Sequence, residues 1–462
     1  MGATQDGSVV SGPSRSIAAD GAALLEREAV DLTRGLIRFD TRNSGDGSCR
    51  ELPAARWAAR LLEDVGIGST IIESEPGRAN LIADIAGEDP SLPTLLVHGH
   101  LDTVPADPSQ WTVDPVAGEI RSDGSADCLW GRGAVDMKNM VGMSLAAIRD
   151  ILRSGEKPRR NVRFILFADE EAGGFKGSEW LVAHRPEVFA GIGHVISETG
   201  GFSGTVAGRR VYYVQVGEKG TQWFSLSAHG RQSHGSQING DNAVVKVARA
   251  ATRIAEHKWP ADLNPVTRLL FGRIASLLGE DASPLDGSRI ARLIEATGFA
   301  RPWVESSVRN TFNVTSIDAG STVNIVPATA TGLVDGRALP GQEDLVYDVL
   351  RRIVAEEGVD VRPIHRSRGY LSDPDGELFS GIERTLHEED PDALVLPFLS
   401  SGGTDGKAIL RLDPSIQVCG FIPLRVPDGF DYIGKFHGID ERVPLSALRF
   451  GARTLRRFIL TF

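Results

Sequence analysis

Cysteine is scarce in this chain. Cys49, Cys128 and Cys419 are the three among 462 residues, far apart and without a CxxC pair. That excludes a disulfide framework and a thiolate zinc site, and it fits a reducing compartment. Long apolar runs are missing as well, since no stretch approaches the roughly 18–20 apolar residues a membrane span requires. The opening MGATQDGSVVSGPSRSIAADG lacks a cationic segment followed by an apolar one, so it does not read as a signal peptide. Its Gly, Ser, Pro and Asp content makes residues 1–20 an expected disordered tail. Basic residues are in deficit, and the net charge of −11 argues against nonspecific binding to nucleic acid or anionic membranes. The expectation is a soluble, cytoplasmic protein with neither of those partners.

What is present is ordinary globular material, 41% apolar and 24% charged. The length exceeds the roughly 250–300 residues at which single cores stop growing, so two domains are expected. Residues 22–38 place Leu25, Ala29, Leu32 and Leu36 at helical spacing, and residues 51–65 repeat the pattern. Short β-rich runs at 69–73, 80–85 and 94–98 follow, which suggests an α/β layer fold. The run NVRFILFA at 161–168 is the near-continuous apolar strand of a buried parallel sheet. Between about 216 and 366 the pattern becomes β-α-β-β-α-β, the split βαβ or ferredoxin-like order. Residues 258–308 interrupt it with extra helical material, and α/β character resumes from 367 to 462.

Three apolar strands end in residues suited to metal binding. Leu95-Leu96-Val97 leads into His98-Gly99-His100-Leu101-Asp102, the apolar run at 161–168 leads into Asp169-Glu170-Glu171, and Gly193–Ser197 leads into Glu198-Thr199-Gly200-Gly201. Residues i and i+2 of an extended chain face one way, and a carboxylate that orients an imidazole is a common metal-ligand arrangement. Acidic residues at the C-terminal ends of strands sit where open α/β sheets place ligands. Each motif alone admits a bland reading: HxD as a polar strand end, Asp136 as an N-cap before the apolar helix that follows it, the acidic turn as a solvated loop. Further motifs are Leu129-Trp130-Gly131-Arg132-Gly133-Ala134-Val135-Asp136, Gln232-Ser233-His234-Gly235, Val323-Asn324-Ile325, Asp335-Gly336-Arg337, Ser401-Gly402-Gly403-Thr404-Asp405-Gly406-Lys407 and Phe436-His437-Gly438.

Taken together and in order, these motifs closely resemble those of the M20 metallopeptidases and amidohydrolases: glutamate carboxypeptidases, aminoacylases, acetylornithine deacetylases, succinyl-diaminopimelate desuccinylases and carnosine-type dipeptidases. The resemblance spans residues 22 to 462. It implies an α/β protein of two domains: a mixed, mostly parallel sheet flanked by helices, of the zinc-dependent exopeptidase type, with an inserted ferredoxin-like α+β lid and dimerisation domain. The catalytic domain would comprise 21–215 and 367–462, and the lid 216–366, enlarged by the insert 258–308. The resemblance further implies two Zn²⁺ ions, with Co²⁺ a plausible substitute. His100 and Glu198 would hold one, Glu171 and His437 the other, and Asp136 would bridge them. Glu170 takes the general-base position, Asp102 orients His100, and His234 stabilises the oxyanion, reaching across a homodimer in related enzymes. Asn324, Arg337 and Gly403 would bind the substrate, Arg337 being suited to bidentate capture of a free carboxylate.

The implied activity is hydrolysis of an amide or peptide bond beside a free carboxylate, in an N-acyl amino acid or a short peptide. Two alternatives stand beside it. One is a dedicated biosynthetic deacylase of the acetylornithine or succinyl-diaminopimelate type, against which the larger lid argues. The other is a binding protein that keeps the fold without turnover, against which the complete ligand set argues. His98 competes with His100 as a ligand only if the strand runs straight, and Gly99 is expected to break it. The remaining six histidines read as structural. Lys407 stands where many relatives have Arg, keeping a cation but losing a bidentate fork.

Overall fold

The computed structural model of the chain describes residues 14–462. Helix Ser14–Ile37 opens the described chain. Of the expected disordered tail, residues 1–13 lie outside the described residues. Residues 14–20 are helical rather than loose, in keeping with Ala18, Ala19, Ala22 and Ala23, the strongest intrinsic helix formers. The chain divides into two compact units, one running to Leu181 and resuming with Pro423–Phe462, the other Val182–Ile422. Among the described residues no helix is long and apolar enough to cross a membrane.

In the first unit the strands Ser69–Glu75 and Arg78–Ile85 pair antiparallel, and the second of these pairs antiparallel with Val162–Phe167. That strand in turn pairs parallel with Thr94–His100, with His100 opposite Phe167. Leu95, Leu96, Val97, Phe164, Ile165, Leu166 and Phe167 are all buried, as a strand covered on both faces requires. The expected break at Gly99 does not occur, and the strand continues through it to His100. Gly99 is needed for packing instead. A Cβ there would stand 2.8 Å from Val141 Cγ2 and 3.2 Å from Met137 Cε, so helix Lys138–Ser154 could not lie so close. A small sheet of Glu119–Ser122, Asp127–Trp130 and Arg442–Pro444 fastens the segment before Asp136 to the segment after His437.

Besides a two-stranded ribbon, strands of two larger sheets lie in the second unit among the described residues. In one, Ile192–Ser197 runs parallel to Gln417–Gly420, and Arg209–Glu218 pairs parallel with Leu394–Ser400 and antiparallel with Gly200–Val206. The other sheet is wholly antiparallel, in the order Thr311–Asp318, Thr329–Ala338, Gly220–His229, Val359–Arg366. Helices Ala243–Glu256 and Glu343–Ala355 bury Val247, Val346 and Leu350 against its Phe224, Leu226 and Val334. This is the ferredoxin-like arrangement expected from the element order.

The insert is helical as expected, with helices Pro265–Leu277, Gly287–Glu295 and Arg301–Ser307, but it does not enlarge the ferredoxin-like domain. It packs on the other sheet of its unit, where Trp303 meets Phe202 edge-on at 5.4 Å and stacks with Phe398 at 5.9 Å. The aromatic surface of Phe202, Tyr213 and Phe398 needs apolar cover, and Phe299 and Trp303 supply it.

Candidate metal centre

His100 closes its strand fully buried. Its Nδ1 lies 3.0 Å from the main-chain carbonyl of Asp102 and 3.5 Å from Oδ1 of the same residue. Both are acceptors, so the ring carries a proton on Nδ1 and turns Nε2 toward Asp136 Oδ1, 3.2 Å away. Asp136 is not an N-cap, since the following helix begins at Lys138 with Met137 in the cap position. Its second oxygen, Oδ2, stands 3.2 Å from His437 Nε2, and Glu171 Oε2 lies at the same 3.2 Å from that nitrogen. His437 itself sits at φ 56°, in the left-handed region.

Asp136 thus offers one oxygen to each of two histidines, as a carboxylate shared by two cations must. Atoms of His100, Asp136 and Glu171 lie within 4.8 Å of one another. Two imidazoles and two carboxylates, with no sulfur, form a donor set that zinc accepts, and oxygen-seeking calcium or magnesium would be served less well by the histidines.

Burial and mutual contact shift the titration of Asp136, Glu171 and His437 together. Burial, and next the charge of Asp136, pushes Glu171 up to about 7. Hydrogen bonds to Asp136 and Glu171 push His437 up to about 10. Burial alone would raise Asp136, but the bonds from His100 and His437 hold it below the usual carboxylate range. Lone pairs that converge in this way favour a cation between them, and His100, Asp136 and Glu171 form a group that could hold one.

The turn that carries Glu170 and Glu171 is held from beneath. Asp102 accepts the N–H of Glu170 at 3.1 Å through Oδ1, and the N–H of Glu171 at 3.2 Å through Oδ2. Asn43 Nδ2 donates both to Asp102 at 2.8 Å and to Asp169 at 2.9 Å. Arg78 adds a 2.7 Å bond to Asp169 while forking onto Glu51. Asp169 adopts φ 68°, a strained geometry for a residue with a Cβ that persists only where surrounding bonds enforce it. On the far side, buried Glu441 accepts the N–H of Val135 at 2.6 Å and of Asp136 at 3.1 Å, and pairs with Arg132 at 2.7 Å. Arg132 reaches the His437 carbonyl at 3.4 Å, so one ion pair fixes the backbones of both Asp136 and His437.

Asn43 and Arg78 escaped the sequence reading, and Asp169, Arg132 and Glu441 stood within or beside its motifs without a role. Glu441 was the findable one, an acid four residues beyond His437. His98 lies buried with its ring edge toward Phe167, centroids 5.3 Å apart, and burial pulls it down to about 3. It is a neutral core residue even though the strand does run straight.

The other expected residues belong to the second unit. Glu198 is buried at the end of Ile192–Ser197. His234 and Asn324 share one small ribbon, with His234 opposite Ile325 and the N–H of Gly235 on the Asn324 carbonyl at 2.8 Å. The N–H of Ser236 donates to His234 Nδ1 at 3.2 Å, which places the ring proton on Nε2 as an outward donor. Arg337 gives its Nε and Nη2 to Asp335 at 2.7 and 3.0 Å. Its fork, expected for a substrate carboxylate, is therefore engaged by a neighbour two residues away, and Nη1 turns to Thr221 Oγ1 at 3.2 Å. Gly403 lies exposed in its turn, and a Cβ there would stand 3.5 Å from Lys407 Nζ and 3.6 Å from Thr221 Oγ1. Arg337, Thr221, Lys407 and Gly403 therefore converge on one patch.

The sequence profile of peptidase family M20/M25/M40 matches residues 96–461. The chain is 25% identical over 441 residues to the N-fatty-acyl-amino acid synthase/hydrolase PM20D1 of Xenopus tropicalis, covering 91% of this chain and 83% of that protein. It is 27% identical over 320 residues to aminoacylase-1 of Sus scrofa, covering 68% of this chain and 66% of the relative. Among solved structures, an M20 family metallo-carboxypeptidase from Sulfolobus solfataricus, Sso-CP2, superposes with a TM-score of 0.71 at 18% identity, over 94% of this chain and 98% of the other.

Proposed function

The chain belongs to peptidase family M20/M25/M40 and is a metallohydrolase of C–N bonds, and from that premise we propose that it cleaves the amide beside a free carboxylate in an N-acyl amino acid or short peptide, with two zinc ions. The observation that carries this reading is the convergence of His100 and His437 on the two oxygens of Asp136, each at 3.2 Å. His100 and Glu198 would hold one ion, Glu171 and His437 the other, with Asp136 between them. When bound, such a pair polarises the scissile carbonyl and makes water acidic enough to attack near neutral pH.

The remaining work falls to the chain. Glu170, its main chain pinned to Asp102, takes a proton from the attacking water on its carboxylate and returns it to the leaving nitrogen. Asp102 fixes the His100 tautomer so that Nε2 keeps its lone pair. His234, protonated on Nε2, donates to the oxygen that gains charge as the carbonyl becomes tetrahedral. Gly403 and Asn324 bind the substrate's carboxylate and carbonyl, with Arg337 contributing its charge and the Nη1 edge. A homodimer formed through the ferredoxin-like domain, in a reducing compartment such as the cytoplasm, completes the proposal.

The test is a hydrolysis panel of N-acyl amino acids and dipeptides, run before and after chelation and after zinc is restored. Turnover of carboxylate-terminated amides that disappears with the metal and returns with it is expected. A zinc-loaded protein inactive on every such substrate overturns the substrate class.

A further inference from the structure

Glu218 is fully buried at the point where the chain leaves one sheet of the second unit and enters the ferredoxin-like one. Tyr370 lies at the return crossing, 3.4 Å from its carboxylate. The two crossings touch, for a Cβ on Gly369 would stand 2.6 Å from the Glu218 carbonyl. A buried carboxylate must be matched by donors, and the donors come chiefly from one turn. Oε2 accepts the N–H of Thr404 at 3.2 Å and pairs with Lys407 Nζ at 3.2 Å. Oε1 accepts the Thr404 hydroxyl, and Gln215 Nε2 at 3.0 Å. Lys407 also donates to the Lys219 carbonyl at 3.0 Å, so two of its three N–H bonds are directed inward.

The effect on the Gly-Gly turn is specific. The N–H of Gly402 is bound to Ser400 Oγ at 3.1 Å and that of Thr404 to Glu218. The N–H between them, on Gly403, is given no acceptor within the protein among the described residues. Gly403 itself borders the patch described above, with Lys407 Nζ and Thr221 Oγ1 3.5 and 3.6 Å from where a Cβ would stand. We propose that Glu218 is the positioning residue of the substrate-carboxylate subsite: by gripping Thr404 and Lys407 it turns the Gly403 N–H and the Lys407 ammonium toward an incoming carboxylate. This rests on the reading that the 401–407 turn binds that group. It also explains how Lys can stand where a fork-shaped Arg is usual, because a point charge binds directionally only when something fixes its place.

The test compares the best N-acyl amino acid of the panel with its neutral carboxamide, following kcat and KM for each. Wild type should favour the acid through KM. Glu218→Ala should raise KM for the acid about tenfold or more, leave KM for the carboxamide and both kcat values within about threefold, and keep the zinc content. Glu218→Gln can still accept from Thr404 and should restore most of the preference for the acid. Should the alanine variant fail to fold, Thr404→Val removes one bond to Glu218 at constant shape and should raise KM for the acid alone, severalfold. Equal losses for acid and carboxamide, or an undiminished preference for the acid in these variants, overturn the proposal. A wild-type enzyme with no preference for the acid instead overturns the reading of the turn.

Discussion

Glu441→Gln is the sharpest probe of how the centre is held. The substitution keeps shape and one acceptor oxygen but removes the charge that Arg132 and the N–H groups of Val135 and Asp136 share. Hydrogen bonds to a charged group are worth about 1.5–3 kcal/mol and neutral ones about 0.5–1.5, so each of these bonds weakens by about 1 kcal/mol. Their sum, about 3 kcal/mol, meets the low end of the roughly 3–5 kcal/mol lost when a buried ion pair is broken. Because the same bonds place Asp136 and, through Arg132, the His437 carbonyl, zinc affinity should fall about 10–100-fold, as when other supports of metal ligands are removed. Urea unfolding of the metal-free protein reads the first quantity, and chelator competition reads the second. A stability loss below about 1 kcal/mol together with unchanged zinc affinity would refute the reasoning.

Other outcomes follow from the same structure. Zinc at about 1,000 times its Kd should stabilise the protein by about 4 kcal/mol, read as a rise in melting temperature that a chelator reverses; an unmoved melting temperature contradicts a preformed site. Arg78→Met leaves Glu51 and Asp169 buried without their cation and should cost about 3–5 kcal/mol in denaturant unfolding, so a neutral variant would show that the turn does not depend on it. Burial, and next the charge of Arg337, brings Lys219 down to about 7. The unfolded chain then binds more protons between about pH 7 and 10, and stability rises with pH across that window. The denaturant midpoint of wild type should therefore rise relative to that of Lys219→Met across it, and a difference flat in pH contradicts the burial argument.

Element order, the ferredoxin-like domain and the residues around Asp136 were legible because each leaves a local mark: alternating or apolar strands, turn glycines, and acids or histidines at strand ends. What escaped depends on contacts far apart in sequence. The strand runs on through Gly99 because it pairs with Val162–Phe167, and the glycine answers to helix Lys138–Ser154, whose approach no pattern near residue 99 reveals. The insert reads as helical from its own residues, but its place is decided by Phe202 and Phe398 elsewhere in the chain. Asn43 and Arg78 look like surface polar residues until the fold brings them under Asp169. Arg337 shows the same limit in reverse, since its type suggested a free fork and Asp335, two residues back on the same strand, occupies it.

The most direct test of the central claim is zinc content measured beside turnover, in wild type and Glu170→Gln. Both proteins should hold two zinc ions per chain, with turnover of the preferred N-acyl amino acid lowered in the variant by about 10²–10⁴-fold, the contribution of a positioned general base. Full activity in the variant, or a wild type that turns over substrate without metal, would contradict it.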